Sequence, residues 1–145
     1  VNQAPREDLD VEDFRTTAEQ LRQLDLSLIA SGQQRWTAVI HERSTGRPVG
    51  FTELFLETQR PGLIQQGLTG VFPEFRNHGL GRWLKAAMLE RLMRQWPEAR
   101  IIRTANAGSN APMLKINTEL GFHAAHVQQA WQVELEQAEA FATRA

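Results

Sequence analysis

The chain has 145 residues, of which 41% are apolar and 23% charged, and it contains neither cysteine nor tyrosine. This length and balance predict one globular domain with a single core and argue against disorder. A formal net charge of -1 argues against a general nucleic-acid binder, and no run of about 18 apolar residues indicates a membrane span. We therefore expect a cytoplasmic protein with no nucleic-acid and no membrane partner.

The apolar pattern, taken in chain order, predicts alternating helices and strands. Helices are predicted at residues 7–30, 79–96 and 110–120. Strands are predicted at residues 36–42, 49–57, 63–72, 99–105, 122–127 and 130–135, and the last ten residues are expected to form a frayed helix or tail. This order indicates an α/β fold on a mixed sheet with at least one parallel crossover.

Charge is distributed unevenly along these elements. Residues 1–30 carry three arginines and seven acidic side chains, a net of -4, whereas residues 76–103 carry seven basic and two acidic side chains, a net of +5. The second segment would attract an anionic ligand, although a solvated basic helix face gives the same pattern.

A glycine-rich turn lies between the third strand and the clearest helix. It reads Arg76-Asn-His-Gly79-Leu-Gly81-Arg82. Unpaired amides and the positive end of the helix dipole would face an anion there. A tight turn that needs small residues would explain the two glycines equally well, and neither a phosphate-binding Walker loop nor a dinucleotide fingerprint is complete.

Two segments together resemble the GNAT family of N-acetyltransferases. The stretch from Val71 to Gly81 is similar to the family's Arg/Gln-x-x-Gly-x-Gly/Ala signature, and residues 110–122, ending in Leu-Gly-Phe, are similar to its second signature. The resemblance covers about residues 36–135 and implies a splayed mixed sheet flanked by helices that binds acetyl-CoA. It predicts one domain over residues 1–145, with an acceptor-side helical region at 1–35, a core at 36–135 and a tail at 136–145.

The resemblance also implies which residues bind coenzyme A. Gly70 and Val71 would offer main-chain groups to the pantetheine arm, and Asn106 and Asn110 would face the same opening. The pyrophosphate would lie on the turn formed by Arg76, Asn77, His78, Gly79, Leu80, Gly81 and Arg82. Lys85, Arg100 and Arg103 are either neighbours of the 3′-phosphate or ordinary exposed charges.

The sequence departs from the family at Asn117. Many members have a tyrosine there, four residues before the glycine of Leu-Gly-Phe, that protonates the leaving thiolate. An amide cannot act as a general acid, although it can donate a hydrogen bond to the sulfur while solvent supplies the proton. The departure leaves two alternatives, a tyrosine-independent enzyme or a domain that binds coenzyme A without turnover.

Glu53 is the predicted general base, because it alternates with Phe51 and Phe55 along a strand and so shares their face. A carboxylate at the wet edge of the core would give the same pattern, and His41 and Glu57 are the other candidates. His123 and His126 have no third ligand at a suitable spacing, so we expect no metal site.

These residues predict an N-acetyltransferase that moves acetyl from acetyl-CoA to a small-molecule or peptide amine by direct attack in a ternary complex. The alternative is a catalytically silent acyl-CoA-binding module, and a phosphate-binding domain of other chemistry is a third interpretation. The residues of the two signature segments also resemble those in the second half of tandem GNAT proteins. We therefore expect the chain to be the C-terminal part of a longer polypeptide, partnered by a second GNAT domain or by another copy.

Overall fold

Four strands form one mixed sheet in the computed structural model, which describes residues 15–142 apart from the side chain of Ala140. The strands are β1 (Gln33–His41), β2 (Pro48–Glu57), β3 (Leu63–Val71) and β4 (Ile101–Arg103). They lie in the order β1-β2-β3-β4. The first three are antiparallel neighbours, whereas β4 runs parallel to β3. The predicted α/β fold with a mixed sheet is confirmed.

The helices begin and end at residues suited to those positions. They are α1 (Ala18–Ala30), α2 (Leu80–Gln95), α3 (Ala111–Glu119) and α4 (Leu135–Ala142), and a short 3₁₀ turn covers Pro73–Phe75. Thr17 caps α1, because its hydroxyl accepts a hydrogen bond from the Gln20 amide while the Gln20 side chain accepts one from the Thr17 amide. Helix α2 ends at Gln95, and its C-cap residue Trp96 comes directly before Pro97.

The core lies between α2 and one face of the sheet. Leu54, Leu56, Ile64, Met88 and Leu92 form it, each no more than 1% exposed. The stripe at every fourth position of α2 packs here, as the periodicity predicts.

Beside this core, Trp36 and Trp96 meet edge to face with ring centroids 6.3 Å apart. The Trp96 indole also donates a hydrogen bond to the Pro61 carbonyl. This aromatic pair connects β1 to the end of α2, so the crossover helix is fixed to the sheet at its C-terminal end.

The predicted strands at residues 122–127 and 130–135 are wrong. Residues 122–134 contain neither helix nor strand, and α4 begins at Leu135. Two strands are marginal unless they join a larger sheet or pack on a core, and here the side chains of Val127, Trp131 and Val133 are largely exposed. The alternation of apolar residues predicted strands, but without burial it does not produce them.

Two further elements differ in extent from the prediction. The strand predicted at residues 99–105 is reduced to the three residues of β4, which pair with β3 alone. Within the predicted helix at 7–30, only Ala18–Ala30 is helical, and residues 7–14 lie outside the described part of the chain.

Candidate functional site

An open strand edge lies at the centre of the site. Strand β3 pairs with β4 only from Leu63 to Gln65, yet it continues to Val71. No strand of the described chain therefore pairs with this edge of β3 beyond Gln65, whereas its other edge is hydrogen-bonded to β2. The splayed arrangement that the family resemblance implies is present, and Gly70 and Val71 lie at its open end.

A β-bulge interrupts β3 opposite Glu53. The register passes from Leu54 opposite Gln66 to Thr52 opposite Thr69, so Glu53 faces two residues, Gly67 and Leu68. A Cβ at Gly67 would lie 2.6 Å from the Phe55 ring and 2.8 Å from Cγ of Glu53. Position 67 therefore requires glycine because these two side chains occupy the space.

Glu53 is 7% exposed and lies on the sheet face opposite to the core. Its Oε1 accepts a hydrogen bond from the Leu68 amide at 3.3 Å, which gives the bulged backbone a partner. Its Oε2 lies 3.7 Å from the Arg35 guanidinium, which also forms a 2.9 Å ion pair with Asp25 of α1. The predicted base is therefore a buried carboxylate beside a cation.

The other two candidate bases are less enclosed. His41 is exposed at the end of β1. Glu57 is half-buried and pairs with Arg60 at 2.8 Å. The geometry thus favours Glu53 among the three, because it is both buried and next to the open end of β3.

A groove lies between α1 and β1, on the same side of the sheet as Arg35. It encloses about 420 Å³ and is lined by Asp25, Leu28, Ile29, Gln33, Gln34, Arg35, Trp36 and Thr37. The groove combines apolar side chains with the half-buried Asp25, whose carboxylate is paired with Arg35. Because Glu53 also lies beside Arg35, these three charged groups carry one excess negative charge, so the groove suits a ligand with apolar and cationic parts.

The turn before α2 has the geometry of an anion site. Gly79 adopts a left-handed conformation at φ 75° and starts the helix, and in the described part of the chain this helix start has no side-chain cap. A Cβ on Gly79 would meet nothing within 4 Å, so the conformation rather than space favours glycine here. At Gly81 a Cβ would lie 3.3 Å from Ile116, so this second glycine brings the turn close to α3.

Side chains around the turn are held by local bonds. The Arg76 side chain donates to the Val71 carbonyl at 3.1 Å, and Arg82 forms an ion pair with Glu119 of α3 at 3.2 Å. His78 is exposed, and Asn77 also has a positive φ, 63°. Leu80 is half-buried as the first residue of α2. The sequence-predicted pyrophosphate residues thus form one continuous turn at a helix N-terminus.

Arg47 anchors this turn from the opposite hairpin. Its guanidinium lies over the rings of Phe72 and Phe75, 5.3 and 5.9 Å from their centroids, and pairs with Glu74 at 2.6 Å. The Glu74 backbone amide and then Arg47 hold the pKa of the Glu74 carboxyl below its ordinary value. The residues that precede the glycine turn are therefore held by side-chain contacts of Arg47, and these contacts do not involve the backbone amides of the turn.

Three polar side chains connect α2, α3 and the loop after β4. The Lys85 ammonium donates a hydrogen bond to Oδ1 of Asn117, and Nδ2 of Asn117 donates to Oδ1 of Asn106 at 2.7 Å. Asn110 instead caps α3, because its Oδ1 accepts from the Met113 amide. Two of the predicted asparagines, at positions 106 and 117, therefore act as a pair, while the third is engaged in its helix.

Lys85 is the residue whose placement the sequence analysis missed. It is 1% exposed, so the interpretation of Lys85 as an ordinary exposed charge is wrong, and burial lowers the pKa of its ammonium to about 8. Helical spacing contained the signal, since Lys85, Met88 and Leu92 recur at three and four residues along the buried stripe. Arg100 and Arg103 are exposed, which is compatible with both interpretations of these two residues.

A second buried polar group lies under α2. Nε2 of Gln66 donates to the Thr52 hydroxyl at 3.1 Å and to the Glu53 carbonyl at 2.7 Å, and Thr52 bonds to Thr69. Oε1 of Gln66 is buried and has no donor among the described residues. The sheet beside the open strand edge therefore contains a buried acceptor that has no donor among the described residues.

The described residues contain neither a candidate metal site nor a candidate membrane-spanning helix. Among residues 15–142, no group of three or more His, Cys, Asp or Glu side chains is arranged to hold a metal ion. None of the helices described is long and apolar enough to cross a membrane.

An open strand edge that leads to an uncapped glycine turn is typical of acyl-CoA-binding acetyltransferases, and the comparisons agree. The model of the acetyltransferase (GNAT) family matches residues 4–122. The chain therefore belongs to the GNAT acetyltransferase family. No curated protein sequence matches it.

Solved structures support the same assignment. A tandem GNAT protein from the clavulanic acid biosynthesis pathway is 36% identical, with a TM-score of 0.68, over 71% of this chain and 32% of that one. This chain thus spans about a third of that protein. An acetyltransferase from Trypanosoma brucei is 21% identical with a TM-score of 0.60, over 82% of each chain. AAC(6')-Iy, bound to a bisubstrate analogue of coenzyme A and acetylneamine, is 18% identical with a TM-score of 0.56, over 80% of this chain and 79% of that one. The last two likenesses concern the fold alone.

Proposed function

We propose that this protein is an N-acetyltransferase that moves the acetyl group of acetyl-CoA to an amine by direct attack in a ternary complex. One observation carries the proposal most: in the described chain, the edge of β3 that is unpaired beyond Gln65 is followed, after residues 72–78, by a helix N-terminus that starts at a left-handed Gly79 and has no side-chain cap. An extended pantetheine arm suits the strand edge, and a pyrophosphate suits the helix terminus.

The residues present fit coenzyme A. Main-chain groups of Gly70 and Val71 would bind the pantetheine, and amides of the turn would bind the pyrophosphate, namely those of His78, Gly79, Gly81 and Arg82. Asn110 has its Oδ1 engaged in capping α3, so only its amide NH₂ would be offered to the ligand.

Acetyl-CoA would supply an activated acetyl thioester, and the chain would supply a proton acceptor and hydrogen bonds. The amine nitrogen bonds to the carbonyl carbon, the C–S bond breaks with its electron pair on sulfur, and the nitrogen loses a proton. Glu53 would take that proton, directly or through a water, because it is a buried carboxylate next to the open strand. The Val71 amide would polarise the carbonyl.

Asn117 would donate a hydrogen bond to the sulfur of the leaving thiolate. Its Nδ2 carries two hydrogens, of which Asn106 uses one, so the second is available to a thiolate. Solvent would then deliver the proton that an amide cannot give. This division explains how a GNAT domain without any tyrosine could still complete the reaction.

The acceptor would approach from the face of α1. Leu28 and Ile29 line the groove there together with Asp25, which shares the single cation Arg35 with Glu53. The resulting excess of one negative charge suits an amine that is cationic in solution and attached to apolar groups. The bisubstrate analogue bound to AAC(6')-Iy combines coenzyme A with acetylneamine, and an amine acceptor here is compatible with that pairing.

Isothermal titration calorimetry with coenzyme A tests the binding half of the proposal. Gly79→Val should weaken binding by at least about tenfold, because a β-branched residue resists a positive φ and its side chain would occupy the anion position. Gly46→Val is the matched control, since Gly46 also has a positive φ, 70°, and open space around it, but lies in the hairpin turn before β2. Equal affinity in both variants and the wild type would refute the assignment.

Turnover separates the enzyme from a silent acyl-CoA-binding module. Release of the coenzyme thiol from acetyl-CoA should rise above the uncatalysed rate when amines of different classes are added one at a time. Tight coenzyme binding with no transfer to any amine would favour the module.

A further inference from the structure

Lys85 lies in an environment that is unusual for a cation. It is 1% exposed on the second turn of α2, and its Nζ donates to Oδ1 of Asn117. The same Nζ lies 5.0 Å from the centroid of the Phe122 ring. A neutral amide and an aromatic face stabilise an ammonium only partly, and a buried charge ordinarily has a charged partner.

No such partner is present in the described chain. Across residues 15–142, no carboxylate oxygen lies within 4 Å of Nζ. On the elements packed around α2, Glu53 is on the far face of the sheet beside Arg35, Glu57 pairs with Arg60, and Glu119 pairs with Arg82. Arg103 and Lys115 are exposed. No negative charge among residues 15–142 therefore compensates the positive charge of Lys85.

The position of this charge matters because of Asn117. Asn117 occupies the place where many family members have the tyrosine that serves the sulfur, and Lys85 and Asn106 hold the two ends of its amide. An ammonium on Oδ1 fixes which end of the amide is the donor, so Nδ2 must face Asn106. It also polarises the amide and makes Nδ2–H a better donor.

We propose that Lys85 is a positioning residue for acyl transfer: its ammonium orients the Asn117 amide and stabilises the departing coenzyme A thiolate electrostatically, in place of a tyrosine hydroxyl. The inference rests on the proposed function. When the C–S bond breaks, the electron pair stays on sulfur, the second hydrogen of Asn117 Nδ2 bonds to it, and Lys85 supplies the nearby positive charge. The sulfur then takes its proton from solvent, so Lys85 ends the step in the state in which it began.

Titration of the coenzyme A thiol in the complex tests this directly. The chain has neither cysteine nor tyrosine, so in alkaline solution the ultraviolet absorbance of a thiolate comes from the coenzyme alone. An opposite charge at close range lowers the pKa of an acid by about 1–3 units. Because the pKa of Lys85 is about 8 before a thiolate forms, the ammonium and the thiol titrate as a coupled pair, and Lys85→Met should raise the apparent pKa of the bound thiol by about one unit relative to the wild type.

Two more variants complete the experiment. Lys85→Gln, which is polar but neutral, should raise the thiol pKa in the same direction and guards against a folding defect of the first variant. Lys115→Met removes the chain's second lysine, which is exposed, and should leave the thiol pKa unchanged. Affinity for coenzyme A near pH 7, where its thiol is protonated, should change less than about threefold in all three, because the pyrophosphate turn is intact.

The outcomes distinguish this inference from the proposed function. Identical thiol titrations in the wild type and both Lys85 variants, with coenzyme bound, overturn the role of Lys85 and leave the proposed function standing. A raised thiol pKa in those variants, without acetyl transfer by the wild type, supports Lys85 and overturns the proposed turnover. Failure of the wild type to bind coenzyme A overturns both.

Discussion

The buried ammonium of Lys85 makes an unusual prediction about stability: the protein should become more stable as the solution becomes alkaline. Burial lowers the pKa of Lys85 from an ordinary value of 10.5 to about 8. Below pH 8, the folded and unfolded chains both carry the proton. Between pH 8 and 10.5, the folded chain has lost it while the unfolded chain keeps it, so the free energy of unfolding rises with pH.

The size of the effect follows from that difference. Each unit of pKa shift corresponds to about 1.4 kcal/mol, so about 3 kcal/mol should be gained between pH 7 and 10.5, and roughly half of it by pH 9. Few other groups interfere, because the chain has no cysteine or tyrosine and only two lysines, Lys85 and Lys115. For a small domain, 3 kcal/mol is a large part of the total stability.

Urea denaturation followed by tryptophan fluorescence measures this at pH 7, 9 and 10.5. The edge-to-face pair of Trp36 and Trp96 should report unfolding, since the two rings separate when the core opens. Lys85→Met should abolish the rise with pH, because no group is left to titrate there, whereas Lys115→Met should preserve it. A flat or falling wild-type profile, or the same rise in Lys85→Met, would refute the reasoning.

Other predictions concern the reacting groups and the bulge. Glu53→Gln should lower kcat/KM by about a hundredfold or more with coenzyme affinity nearly unchanged, because the amide still accepts from Leu68 but cannot take a proton; full activity on a verified acceptor would make Glu53 structural. Asn117→Ala should reduce kcat by a smaller factor in the same assay, since solvent still supplies the proton, and a loss larger than that of Glu53→Gln would contradict this order. Gly67→Ala should lower the free energy of unfolding in urea by about 1–3 kcal/mol, because its Cβ meets Phe55 and Glu53 below 3 Å. Gly62→Ala, whose nearest neighbour would be 3.6 Å away, is its control and should change little.

The spacing of apolar residues was sufficient to predict those strands and helices that bury one continuous apolar face. The three long strands and α2 agree with the prediction because their apolar residues face one core, and a period of two or of 3.6 residues is then enough to identify them. The last predicted strands alternate equally well at Trp131, Val133 and Leu135, yet these side chains are exposed. Whether a strand forms there depends on a partner edge, and an apolar pattern by itself does not specify one.

Some features of the candidate site could likewise be predicted from local sequence, whereas others depend on strand register and helix packing. The glycine turn could be placed at a helix start because Gly-x-Gly followed a strand and preceded an amphipathic stripe. The bulge opposite Glu53 and the proximity of Arg35 depend on the register of two strand pairs, which the sequence leaves open. The hydrogen bonds of Asn117 to Lys85 and Asn106 depend on how α2 packs against α3. The sequence does not specify this packing, so neither partner could be predicted from it.

The proposed role of Lys85 would explain both why this lysine is buried without a charged partner among the described residues and how the domain could act without a tyrosine. A methionine or leucine would fit the α2 stripe without any charge, so near pH 7 the lysine lowers the stability of the unliganded domain. The same uncompensated charge favours any anion that comes to lie beside Asn117, because that anion gives it the partner that the described residues do not. An anion there would also raise the pKa of Lys85 back toward its ordinary value, so binding and proton uptake would be linked above pH 8. A tyrosine would donate a proton to the leaving sulfur, whereas a lysine behind an asparagine would keep its own proton and lower the free energy of the thiolate.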